Sequence, residues 1–100
     1  MQFDRGRTRF VWDEAKAQSN FRKHGISFEK AMQVFDDPLA KSVQDRIVDG
    51  EERWQIIGMV EGCLLVIVAH TYQEIADIEV VRIVNARAPN RQERRLYEHG

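Results

Sequence analysis

Apolar positions along this chain follow two different periods. Residues Arg9 to Trp12 (RFVW) read as a short strand or extended lead-in, and Asp13 then stands where a helix N-cap belongs, with Glu14 favourable in the first turn. The pattern predicts a first helix to about His24. Gly25 closes it as a residue able to take positive φ, and Ser27 offers a new N-cap. Phe28, Ala31, Met32 and Phe35 follow at i, i+3, i+4 and i+7, so a second helix turns one apolar face to the core until Asp37-Pro38 ends it. From there the period shortens to two. Lys41 to Gln44 reads as a short strand, Asp45 to Gly50 as a polar connection and Arg53 to Val60 as a clearer strand. Glu61-Gly62 is a hairpin signal, and Cys63 to Tyr72 is apolar on both faces, as in a central strand. Gln73 to Asp77 is expected to turn the chain before a strand from Ile78 to Arg87. A last helix starts at Asn90, where Glu93 completes a capping box, and runs to about His99. The expectation is an α+β domain with two N-terminal helices, an antiparallel sheet of about four strands and a C-terminal helix.

A chain of 100 residues supports one core and one domain. With 43% hydrophobic and 31% charged residues it has the composition of a folded globular protein. The longest apolar run, Cys63 to Ala69, is too short to span a bilayer, and the N-terminus has no signal-peptide core, so the expected location is the cytoplasm. Cys63 is the single cysteine, and its place in that run suggests a buried structural thiol. The formal net charge of −1 argues against binding nucleic acid through a global positive field, so a basic site must be local. Arg82, Arg87, Arg91, Arg94 and Arg95 stand close together in sequence, opposed only by Glu93. Arginine is the side chain suited to bidentate phosphate contact.

No metal-ligand spacing, phosphate loop or Ser/His/Asp arrangement is present, and no cofactor is implied. Lys16, Asn20 and Lys23 form a polar stripe on the first helix, with His24 at its end. The plainest reading of that stripe is a solvated face, and of His24 a C-terminal cap. His70 stands where an apolar strand should continue, and Arg82 interrupts Val80-Val81 and Ile83-Val84 in the same way. A hydrogen-bonded core histidine is the structural alternative for His70. If the two strands pair across the Gln73 to Asp77 turn, His70 and Arg82 fall close in register, with Arg53 as a neighbour on one basic, phosphate-holding face.

The string FVWDEAKAQSNFRKHGISFEKAMQVFDDP resembles the opening of BrnT-type toxins, with its Trp-Asp, Lys-His-Gly, Ser-Phe-Glu and Val-Phe-Asp-Asp-Pro. The second half is similar too, in Glu52-Arg53 ahead of Ile57-Gly58, in LLVIVAHT and in RIVNARAPNRQERRLYE. The resemblance spans about Phe10 to Glu98, with Asn85 where the family pattern has Ser. Met1 to Arg9 lies outside it and leaves two readings open, a disordered lead or a misassigned start. The resemblance implies a RelE-like fold, metal-independent RNA cleavage that arrests translation, and a BrnA-type antitoxin that binds the toxin and represses their operon on DNA. DNA is then reached only through the antitoxin, no membrane is involved, and the complex is expected to hold more than one toxin copy.

Such a ribonuclease needs a base for the 2′-OH proton, cations for the charge on the phosphorane and an acid for the leaving oxygen. Arg53, Arg82 and Arg87 are the candidate cations. His70 is the first candidate acid or base, since imidazole titrates near neutrality, with Glu52 and Lys23 as alternatives. Lys23, His24, Arg87, Arg91 and Tyr97 are candidate RNA contacts. The rival readings are a ParE-like toxin that acts by binding gyrase without cleavage, and a non-toxic interaction module.

Overall fold

The computed structural model describes residues 1–99 and is an α+β domain built on one six-stranded mixed sheet, in the order β1-β2-β6-β5-β4-β3. The strands are β1 (Gln2–Arg5), β2 (Thr8–Val11), β3 (Lys41–Val48), β4 (Glu51–Val60), β5 (Leu64–Ile75) and β6 (Ile78–Arg87). The helices are α1 (Glu14–His24), α2 (Phe28–Ala31) and α3 (Arg91–His99). Two features depart from the expected four-stranded antiparallel meander. Residues Met1 to Arg9 carry secondary structure: β1 and β2 form a hairpin through Gly6 at φ 61°, and Trp12 N–H donates to the Met1 carbonyl at 3.1 Å. β2 then pairs parallel to β6, which makes the sheet mixed. The second helix is also shorter than its apolar spacing suggests. Only Phe28–Ala31 is α-helical, and Met32–Asp36 tightens into a 3₁₀ segment.

The local start and stop signals behave as side-chain chemistry requires. Asp13 accepts from Lys16 N–H at 3.1 Å, Ser27 accepts from Lys30 N–H at 3.0 Å, and Gly25 takes φ 72° while donating to the Phe21 carbonyl. Asn90 and Glu93 exchange side-chain and backbone bonds at 2.8 and 2.9 Å, a complete capping box at the entry to α3.

The back face of the sheet packs on α1, α2 and the 3₁₀ segment. Phe28, Val34, Val60, Val66 and Val68 are fully buried there, with Met32, Phe35 and Ile56 against them, so the apolar face of residues 28–35 does meet the sheet as its spacing demands. Gly58 permits this approach, because a Cβ there would meet Val34 Cγ1 at 2.9 Å and the Val34 carbonyl at 3.1 Å. The front face holds a smaller cluster of Ile57, Leu65 and Ile67, covered by Tyr97 from α3. Asn20 is not part of a solvated stripe. Its buried amide donates to the carbonyls of Ile26 and Ala86 and accepts from Ala86 N–H, tying α1 to β6. Cys63 is not buried either, because the chain turns through Glu61, Gly62 and Cys63 before β5 begins, leaving the thiol exposed. No helix among the described residues is long and apolar enough to cross a membrane.

Candidate active site

Residues paired directly across an antiparallel ladder share a face, so register decides which side chains can meet. Arg53 pairs with Thr71 and Thr71 with Arg82, which sets Arg53, Thr71 and Arg82 in one row across β4, β5 and β6 on the front face. Two strand spacings put the backbones of the arginines about 10 Å apart. Thr71 between them is short and buried, so both guanidiniums can reach over it. They converge on one atom. Glu51 Oε1 accepts a charge-assisted hydrogen bond from Arg82 and lies 3.7 Å from Arg53 Nε. Arg53 Nε is buried and has no hydrogen-bond partner among the described residues, which leaves a cationic donor beside that carboxylate.

Arg87 lies further along β6, paired with Ile67 on the same face. Glu93 holds it bidentately at 2.8 and 2.9 Å, and that hydrogen-bonded pairing raises the arginine's pKa while lowering the carboxyl's. Arg91 opens α3 and is exposed. Tyr97 is committed elsewhere: its hydroxyl donates to Asp37 Oδ2 at 2.6 Å, where Asp37 also accepts from Met59 N–H at 2.7 Å. That node fastens α3 to the sheet.

The structure does not bring His70 into this row. His70 pairs with Ile83 and with Trp54, on the back face, and is 5% exposed. Phe35 covers it edge-on, with ring centroids 5.0 Å apart, and its Nδ1 meets the Val68 carbonyl at 3.2 Å. A carbonyl only accepts, so Nδ1 carries the proton. Burial lowers the imidazole pKa below its ordinary value, against the opposing effect of the bond to Val68, and favours the neutral ring. The expectation of one face shared by His70, Arg82 and Arg53 fails on the length of a turn. A loop from Gln73 to Asp77 would pair Tyr72 with Ile78 and leave His70 and Arg82 on the same side. The observed turn is two residues, Ala76 and Asp77, both at positive φ, and it pairs Ile75 with Ile78. That odd shift sends His70 to the back.

Glu52 is likewise on the back face, paired with Ile47, while its neighbour Glu51 faces the arginines. Lys23 and His24 flank the β6 edge, lining a shallow cavity of ≈ 230 Å³ with Lys16, Asn20 and Asn85, apart from the Arg53–Arg82 row. Glu51 was missed by the reading of the sequence, although strand alternation in Glu51-Glu52-Arg53 already places Glu51 and not Glu52 beside Arg53. The described residues contain no group of three or more His, Cys, Asp or Glu side chains fit to hold a metal ion.

The row can therefore bind an oxyanion from two sides and present a carboxylate to it. Residues 12–93 match the profile of a family described as the ribonuclease toxin, BrnT, of type II toxin-antitoxin systems. No curated protein matches the chain. Among solved structures, it is similar to the crystal structure of the Brucella abortus ribonuclease toxin, BrnT. The two share 24% identity over 82% of this chain and 96% of that one, with a TM-score of 0.63, a likeness of fold.

Proposed function

The chain belongs to the BrnT family of ribonuclease toxins of type II toxin-antitoxin systems, and on that premise we propose that it cleaves RNA at the Arg53–Thr71–Arg82 row. The observation that carries this reading is the convergence of two guanidiniums on Glu51 Oε1. A phosphate entering there meets both cations, and the carboxylate it displaces from them stays beside it as a base.

Glu51 takes the proton of the 2′-OH, the 2′ oxygen attacks the adjacent phosphorus, and the P–O5′ bond breaks. The products are a 2′,3′-cyclic phosphate and a 5′-hydroxyl, whose oxygen takes a proton from solvent. Arg53 and Arg82 stabilise the charge on the equatorial oxygens in this metal-independent step. Arg87 and Arg91 extend the cationic track along β6 to α3, and Lys23 and His24 add to it at the β6 edge. His70 serves as a core residue in this account, and Glu51 takes the role first considered for His70 and Glu52.

In the cell, cleavage of this kind arrests translation and growth. The partner is an antitoxin of BrnA type that covers the arginine face and excludes RNA, in a cytoplasmic complex with more than one toxin copy. The approach of the two arginines to a single point favours cleavage over a toxin that acts by binding alone. Incubating the purified protein with RNA in EDTA tests the reading. Fragments ending in 2′,3′-cyclic phosphate are expected, and intact RNA would refute it.

A further inference from the structure

The two faces of the sheet carry opposite charge. Register places Arg46, Arg53, Arg82 and Arg87 on the front. On the back, the helices and the 3₁₀ segment cover the sheet as far as Phe10, Val81 and His70. The charged strand positions at the margin of that cover are Glu52, Glu74 and Glu79, and Arg5, which follows Glu79 in the same row through Thr8 and is already paired with Asp36. Glu74 and Glu79 stand directly opposite each other across β5 and β6, and neither makes an ion pair among the described residues. Like charges so placed destabilise a sheet. Glu79 instead accepts weak bonds at 3.2 Å from Thr8 and from Tyr72.

Apolar surface lies beside these carboxylates. Ile47 is 65% exposed and Tyr72 46% exposed, and Ser42, Trp54, His70 and Tyr72 line a pocket of ≈ 270 Å³. We propose that this margin of the back face docks a segment of the cognate antitoxin, which seats an apolar side chain in the Trp54–His70–Tyr72 pocket and lays lysines or arginines against Glu74, Glu79 and Glu52. The charge selects the occupant. A nucleic acid would bring phosphates onto three carboxylates, whereas a basic, amphipathic protein segment relieves the Glu74–Glu79 repulsion and covers the exposed aromatics. The inference rests on the antitoxin partner of the preceding reading and not on RNA cleavage. It gives the antitoxin a hold on both sides of the sheet.

The test is calorimetric titration of the toxin with its cognate antitoxin, for the parent and for Tyr72→Ala and Glu74→Lys, beside melting curves and RNA cleavage by the free toxins. Each substitution should weaken the complex about tenfold or more. Glu74→Lys should also reduce its sensitivity to salt, and should raise the melting temperature of the free toxin by ending the like-charge pair. Cleavage by the free variants should match the parent. Unchanged antitoxin affinity in both would overturn the proposal. So would weaker binding of a 2′-deoxy-substituted, non-cleavable RNA oligonucleotide, since the pocket would then be a nucleobase site. If Tyr72→Ala does not fold, Glu74→Lys decides alone. A parent that does not cleave RNA would sink the ribonuclease reading and leave the affinity series intact.

Discussion

His70 and Arg82 lie one row apart in the β5–β6 ladder and on opposite faces of the sheet, one under Phe35 and the other beside Glu51. An imidazole so buried acts on stability. His70→Asn should lower the melting temperature, at a cost of about 1 to 3 kcal/mol, while cleavage per folded molecule stays near the parent's. A rate loss of a hundredfold without loss of stability would return His70 to the active site.

The same histidine sets a pH dependence. Burial lowers its folded pKa below the ordinary 6.5, so the unfolded chain binds the proton more readily. The stability it supports is full above about pH 6.5 and declines as the pH falls through that value toward the folded pKa. Denaturant melts between neutral and mildly acid pH should show this slope. In His70→Asn it should be shallower.

The grip of Glu93 on Arg87 holds the start of α3. Hydrogen bonding from Arg87 lowers the Glu93 pKa below 4.5, so its contribution is present above the unfolded value and is lost as pH falls through the folded one. Amide exchange in α3 should therefore accelerate below about pH 4, ahead of exchange in β5. Glu93→Gln should bring that loosening to neutral pH. Equal protection of α3 in parent and variant would contradict it.

Asn20 and Gly58 are the polar and steric hinges of the back face. Asn20→Ala would strand the Ala86 N–H and carbonyl in the interior, a loss of about 2 to 4 kcal/mol. Gly58→Ala drives a methyl toward Val34 and should cost about 1 to 3 kcal/mol. Chemical denaturation measures both. Neutral substitutions would mean that the helices are not held this way.

Much of this fold could be read from local chemistry. Asp13, Gly25, Ser27 and the Asn90–Glu93 box mark helix ends because each acts on its own backbone, within a few residues. The packing of Phe28, Met32 and Phe35 follows from their spacing for the same reason. What stayed hidden depends on distant partners. The short strand read at Arg9 to Trp12 is close to β2, but its parallel pairing with β6, some 70 residues away, and the β1 strand that precedes it have no apolar alternation to announce them. The site was half legible. Arg53 and Arg82 stand out as charges in apolar strands, but their company is fixed by a two-residue turn at Ala76-Asp77, which lacks the Asn-Gly or Asp-Gly signature of such turns. The odd shift in register exchanged His70 for Thr71, whereas Glu51 in place of Glu52 was already legible in the alternation along β4.

The central claim is that Arg82 and Glu51 form the cleavage site, and one set of assays decides it: RNA cleavage in EDTA by the parent, Arg82→Ala and Glu51→Gln, each with its melting curve. Arg82→Ala should cut the rate about a hundredfold or more with the fold intact, because it removes one of two cations from the phosphate. Glu51→Gln should cost a similar factor and flatten the rise of the rate with pH on its acid side. Variants that fold and cleave RNA at the parent's rate would contradict the account.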